Sequence, residues 1–417
     1  MPEGVCGTIA IVPYEGDFMR EFQTDIAIIG GGASGLAAAL AAARCGAAVL
    51  LLEKLPRVGK KILATGNGRC NLGNLSADMA HYGGSVGVAS VLEQFAGEES
   101  FFRSLGLWVR ADEEGRLYPQ SNQATAVLDA LRLTCVKLGV EEVCNFCVDE
   151  ITPVPGGFVL RSTSGKTVHA RRVILATGGL AGSQYGSAGE GLKLAQDLGH
   201  QVSACHPALT PVPVDQKLVR PLKGLRVHAR VTALRDGKIL RTETGQVQFS
   251  EGTLSGICVF NLSAYCPDML ELDLLPDCDD VPALLAEICS ARADFALEDM
   301  LTGLLPKRIG QVLLKACTDL PQTAQASALT PADLTKLARF LKAWQFPAGF
   351  PDNWEVAQVT AGGVTEVSPD LESTVLPGLY FAGEILDVHG DCGGFNLRFA
   401  WASGLRAGEA AARGLGV

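Results

Sequence analysis

At 417 residues the chain has room for about two or three domains, and its 47% hydrophobic and 19% charged residues exclude wholesale disorder. A net charge of −10 argues against a generally basic nucleic-acid binder, though not against a local basic patch. The 48 glycines follow no Gly-X-Y period and point to tight turns, while thirteen cysteines in a chain this long fit a free-thiol, cytoplasmic protein better than a disulfide framework.

Residues 1–21 read as an N-terminal extension, with 1–18 acidic, aperiodic and outside the fold. They lack the basic start of a signal peptide. Ile26–Ala43 is an uncharged run of 18 residues, long enough to flag as a membrane span. The glycines near its start make it strand, turn and buried helix instead, and no membrane partner is expected. Asp25–Ile29 reads as a strand, Ala33–Cys45 as a helix closed by Gly46, and Ala47–Leu52 as a second strand ending at Glu53. That is the opening unit of a parallel sheet.

Further along, 57–74 reads as an ordered, basic, Gly- and Asn-rich loop, and Ala124–Leu138 as a helix. Residues 141–170 suggest a three-stranded antiparallel meander, followed by a strand Arg171–Ala176 entering Thr177-Gly178-Gly179. After Gly191 the texture changes. Residues 203–265 are Pro-punctuated and β-like, with alternation over Leu225–Leu234, and 281–345 are helical. Thr330, Pro331 and Asp333 mark a helix start there. From Val356 the first texture returns, with Val356–Thr360, Leu379–Ala382 and a final helix Leu397–Arg413. The expected organisation is one α/β domain split over 22–195 and 355–417, an inserted β-rich domain at 196–275 and 341–354, and a helical subdomain at 276–340.

Gly30-Gly31-Gly32-Ala33-Ser34-Gly35 fits G-x-G-x-x-G, a weak pattern alone. Here it follows a strand, opens a helix and has Glu53 21 residues beyond Gly32. Gly30 permits the turn, Gly32 lets a pyrophosphate approach the backbone, and Gly35 lets helix and strand pack closely. The helix N-terminus at Ala33 and Ser34 offers N–H donors to the phosphates, and Glu53, followed by Lys54, accepts the ribose hydroxyls. FAD is favoured over NAD. The 57–74 loop is longer than a nicotinamide fold needs, Thr177 and Gly178 follow a strand that crosses near the cofactor, and an apolar strand delivers Gly383 and Glu384 to the pyrophosphate end. No second G-x-G-x-x-G follows a strand, so no dedicated nicotinamide domain is visible.

GGGASGLAAA, GKKILATGNGRCNLGN, GRLYPQSNQATAVLDAL, VILATGG, AGGV and LYFAGEILDVHGDCGGFNLRFAWASG together resemble the BaiN-like/YhiN-like flavoprotein family over about residues 22–415. The resemblance implies an α/β fold: a glutathione-reductase-type FAD-binding Rossmann-like domain with an inserted β-rich domain and a small helical domain. Carried over by position, Gly66, Asn67, Gly68, Arg69, Cys70 and Asn71 wrap the flavin, with Lys60 and Lys61 near the phosphate or ring edge. Gly394, Phe395, Asn396 and Leu397 open the last helix against the isoalloxazine. The family implies reductases whose substrates range from bile-acid-type enones to uridine in ribosomal RNA.

Cys392, two residues before Gly394, is the candidate proton donor, with His389 and Asp391 in the same loop as further catalytic candidates. His206 is a candidate on the substrate side. Cys144 and Cys147 form a C-x-x-C inside an expected strand, where they face opposite sides and make no metal pair. Residues 216–241 hold eight basic residues against Asp236. They read as a solvated face or as a site for RNA phosphates or for NAD(P)H. The expected function is reduction of an electron-poor C=C in a small molecule by NAD(P)H-derived hydride through FAD. A ribosomal-RNA uridine reductase, an amine oxidase and a non-catalytic redox sensor using Cys392 and Cys70 stay open.

Overall fold

The computed structural model describes residues 21–76 and 78–416. The expectation for residues 1–18 lies outside them, and Glu21, assigned to the extension, begins the first strand, Glu21–Ile29. That strand pairs in parallel with Val49–Leu52 on one side and Thr167–Leu175 on the other, with Ile29 opposite both Leu52 and Leu175. All four residues of Val49–Leu52 are buried, as expected where both faces of a parallel sheet are covered. The sheet runs in the order 141–143, 49–52, 21–29, 167–175, 157–162, 148–154. Strand 167–175 changes partner along its length. Thr167–Ala170 pair antiparallel with 158–161, and Val173–Leu175 pair in parallel with Leu379–Phe381. The C-terminal segment thereby completes the sheet that the N-terminal segment began.

The first helix, Ala33–Arg44, and the last, Phe395–Arg413, pack backbone to backbone. A Cβ on Gly404 would lie 2.3 Å from the Ser34 carbonyl oxygen, and one on Gly408 would lie 2.3 Å from that of Ala38. Only small residues permit this approach, and the first helix is accordingly Ala-rich.

Six sequence expectations shift. The meander begins at Val148, because Glu141–Val143 pairs in parallel with Val49–Leu52 and Asn145, at φ +53°, turns the chain between them. Its last strand is continuous with the strand expected at Arg171–Ala176. Cys144 and Cys147 therefore sit in a connection, not inside a strand. The 57–74 loop contains a short helix, Lys60–Ala64, and a tight turn, Thr65–Gly68. Of Val356–Thr360 only Val359 and Thr360 enter a strand, Val359–Ala361, and the last helix starts at Phe395, two residues early.

Residues 212–348 build a second body with its own core. Its antiparallel sheet runs in the order 212–213, 253–255, 238–250, 226–235, 269–273, 344–347. In Arg226–Arg235 the expected alternation is plain: Val227, Ala229, Val231 and Ala233 are buried while Arg226, His228 and Arg230 are exposed. Helices Val281–Ala291, Lys307–Cys317 and Pro331–Lys342 share this core through Leu285, Leu313 and Leu341. Thr330 and Asp333 close a reciprocal capping box on the last of them. A two-stranded ladder, His206–Ala208 with Val359–Ala361, pairs the two segments by which the chain enters and leaves the second body. Among the described residues every cysteine is free, and no helix is long and apolar enough to cross a membrane.

Candidate active site

A cleft of about 650 Å³ runs from the Gly30–Ser34 turn to the loop Asp391–Gly394. At one end, the Gly30 N–H donates to the Leu52 carbonyl at 2.8 Å, carrying the pairing of the first two strands into the turn. Gly35 packs so closely that a Cβ there would meet the Gly30 carbonyl oxygen at 1.8 Å. Gly32 differs: a Cβ there would meet no protein atom within 4 Å, although the residue lines the cleft. No side chain caps the helix that Gly32 starts, so its first N–H groups are left for a ligand. Glu53 is held by backbone: Oε2 accepts from Gly31 N–H at 2.9 Å and Oε1 from Leu55 N–H at 2.8 Å. Each oxygen retains accepting capacity for a ribose hydroxyl. Lys54 pairs with Glu190 across the mouth.

The middle of the cleft is lined by Lys60, Lys61, Gly66, Asn67, Arg69, Asn71, Thr177, Gly178 and Glu384. Lys61 Nζ donates to Glu384 Oε2 at 2.7 Å and to the Ala181 carbonyl at 3.0 Å, while Glu384 Oε1 accepts from Thr360 N–H at 2.8 Å. Arg69 lies over the Tyr118 ring, 4.6 Å from its centroid. Asn71 Oδ1 is buried with no hydrogen-bond partner, an unusual state for a buried acceptor. Cys70 is wholly buried behind the loop, and burial pushes its thiol up to about 12. Gly68, Gly383 and Gly35 are likewise not on the cleft wall; Gly383 packs on Ser34, whose hydroxyl donates to the Ala382 carbonyl at 3.2 Å.

At the far end, Cys392, Gly394, Asn396 and Leu397 line the wall. Asn396 clamps the loop, its side chain donating to the Gly390 carbonyl and accepting from the Gly390 N–H, both at 2.8 Å. Phe395 turns the other way and stacks on His81, ring centroids 4.1 Å apart. His389 also faces away from the cleft, against Gly83; its Nδ1 is buried without a partner, and burial holds its pKa below the usual histidine range. His206 Nε2 lies 3.0 Å from the Ala264 carbonyl, so its ring is engaged within the second body.

Asp391 and Cys392 meet residues that sequence reasoning did not select. Arg241 donates to both oxygens of Asp391, at 2.9 and 2.6 Å, and Asp391 Oδ2 lies 2.9 Å from His81 Nδ1. Arg241 also pairs with Glu243 at 2.5 Å, and Glu243 accepts from Asn261 Nδ2 at 3.3 Å. Asn261 Oδ1 accepts the Cys392 N–H at 2.9 Å. Burial first, then the charge of Asp391, pushes the Cys392 thiol up to about 12, so it keeps its proton near neutral pH. Arg241 was counted only within the basic stretch; His81, Glu243 and Asn261 carry no local motif.

The basic stretch does not form one face. Arg241 is turned inward to Asp391, Lys223 pairs with Glu251, and Arg235 donates to the Tyr265 and Cys266 carbonyls. Arg226 and Arg230 remain on the exposed sheet face.

The residues present fit FAD: open space over Gly32, an uncapped helix start and an unpartnered Asn71 oxygen line one cleft. The fold and this cleft define a flavoprotein of the dinucleotide-binding class. The chain belongs to the HI0933-like family, whose Rossmann-domain model matches residues 24–410. It is 39% identical to the 3-dehydro-bile acid delta(4,6)-reductase of Clostridium scindens, over 93% of this chain and 98% of that protein. It is 30% identical to the ribosomal RNA dihydrouridine synthase of Escherichia coli K12, over 91% and 96%. A solved quinol-fumarate reductase is similar in fold, with a TM-score of 0.50, 17% identity, and coverage of 95% of this chain and 72% of that one. The chain is an FAD-dependent oxidoreductase of this family.

Proposed function

We propose that the protein reduces an electron-poor C=C bond in an apolar cyclic enone, with NAD(P)H as the transient electron donor. The observation that carries this reading is the roof of the cleft. Leu209, Ile257 and Phe260 line it beside Cys392, an apolar surface suited to a fused-ring substrate. Kinship to a named bile acid reductase points the same way. Bound FAD would supply hydride transfer.

The chain's own residues supply the rest. Glu53 and the first helix would hold the adenosine diphosphate half, and Lys60, Lys61 and Asn71 the middle. The N-terminus of the last helix, at Gly394, favours negative charge beside it. Cys392 keeps its proton, and Asn261 fixes its backbone from the second body. The high thiol values of Cys392 and Cys70 work against a thiolate-based sensor. The test is anaerobic stopped-flow: NADH or NADPH should bleach the flavin, and a steroidal 4-en-3-one should restore its colour. Failure of every enone to reoxidise the flavin would sink the reading.

A second reading, uridine reduction in ribosomal RNA, draws on Arg226, His228 and Arg230 side by side on the exposed sheet face and on the dihydrouridine synthase relatives. It requires dihydrouridine to vanish from rRNA when the protein is deleted.

A further inference from the structure

Beside the main cleft lies a second cavity of about 240 Å³. Cys392 and Ile257 line both, so the two spaces share a wall at the end of the cleft where the last helix starts. Arg116 lines both as well, and the far side of the small cavity is made by His81, Phe395 and Asn74. We propose that this cavity seats the reacting ring of the substrate and that His81, oriented by Asp391, is the acid that completes the reduction. This rests on the enone reading above.

The geometry has four parts. His81 Nδ1 lies 2.9 Å from Asp391 Oδ2, and the His81 carbonyl accepts the Asp391 N–H at 2.9 Å, so ring and backbone are pinned to the same residue. The Arg241 fork on both oxygens makes the Asp391 carboxylate the acceptor, so Nδ1 carries the hydrogen. The Phe395 ring, stacked at 22°, fixes the plane of the imidazole. Nε2 has no partner among the described residues, and the side chain is 33% exposed while Asp391 is 7% exposed. A proton can therefore reach His81 from solvent, whereas its orienting carboxylate stays dry.

The step balances. Hydride supplied by bound reduced FAD would form the new C–H bond at the enone β-carbon, and the C=C electron pair would move to the α-carbon and carbonyl oxygen. The α-carbon would take its proton from His81 Nε2. The two electrons that reduce the C=C would come from the bound FAD, and His81 would regain its proton from water. NAD(P)H would supply those electrons to the bound FAD. The charged groups around the ring are Asp391, with Arg241 and Glu243 behind it, and Arg116 and Glu114 across the cavity. Cys392 keeps its own proton and forms the apolar shared wall.

The test uses the FAD-loaded full chain and androst-4-ene-3,17-dione as probe. His81→Asn keeps an N–H for Asp391 and removes Nε2. Flavin reduction should stay at the wild-type rate, while reoxidation by the enone should fall about 100-fold or more. Unaltered reoxidation in His81→Asn overturns the acid role. His81→Gln, which places an amide near the Nε2 position, should bind the probe yet stay slow; wild-type speed there also overturns it. Independently of turnover, the His81 ring resonances should move when the probe is added to oxidised protein. If they do not move, the seat is wrong. If they move but wild-type protein never passes hydride to any enone, the reaction reading fails and the binding seat stands.

Discussion

Arg241, on a strand of the second body, grips both oxygens of Asp391, on the loop that opens the last helix of the first. The carboxylate is 7% exposed and the arginine side chain 20%. This pair joins the second body to the Asp391–Gly394 end of the cleft. Arg241→Ala strands a buried carboxylate and should cost about 3 kcal/mol in a denaturant titration. Arg241→Ala with Asp391→Asn should recover much of that loss. Additive losses in the double variant would show that the pair does not couple the two bodies.

The purified protein should be yellow and release FAD, not FMN. Gly32→Val should abolish flavin uptake while the apo fold survives, because its side chain would enter the open cleft. Gly35→Ala should lower the melting temperature instead, since its Cβ would lie 1.8 Å from the Gly30 carbonyl oxygen. Equal flavin content in Gly32→Val and wild type would contradict the assignment of the cleft.

The Cys392 thiol, raised to about 12 in the fold, ionises near 9 once unfolded. The unfolded chain thus binds fewer protons above pH 9, and the contribution of this residue to stability falls as pH rises from about 9 towards 12. Urea titrations at pH 8 to 11 should show that decline, and Cys392→Ala should make it shallower. Iodoacetamide should label Cys392 slowly at pH 8; rapid labelling would show an accessible thiolate.

Replacing Thr330 by Ala removes the cap that accepts the Asp333 N–H at 3.2 Å and should cost about 1 kcal/mol by chemical denaturation. Flavin content should not change, because that helix belongs to the second core.

Neutralising Arg220, Lys223, Arg226 and Arg230 together should leave flavin content and enone reduction at wild-type values. If uridine in rRNA is the substrate, the same variant should weaken RNA binding and flatten its salt dependence. Slowed flavin reduction by NAD(P)H, with dithionite reduction intact, would make the stretch the nicotinamide seat.

The first βαβ unit was legible because its signals are local: an apolar run, a glycine turn, an alanine helix and an acid at a fixed spacing. The Thr330 cap and the Leu225–Leu234 alternation were legible for the same reason. The meander boundary was missed because Glu141–Val143 is a strand only by pairing with Val49–Leu52, a partner about ninety residues away. The basic stretch misled because charge counted along a chain ignores strand direction. Arg241 and Arg226 lie on one hairpin, yet one turns inward to Asp391 and the other outward to solvent.

By itself, then, the sequence determined the cofactor turn, the parallel-sheet class and the kinship, all written in short-range spacing. Only the tertiary structure decided which side chains gather at the Asp391–Gly394 end of the cleft. His81, Arg241, Glu243, Asn261 and Asp391 come from segments up to 310 residues apart, His81 to Asp391 being the widest. They meet because two separately packed cores are pressed against one loop. Burial there raises the strength of each ion pair and makes each polar group require a partner, a constraint no local window of sequence carries.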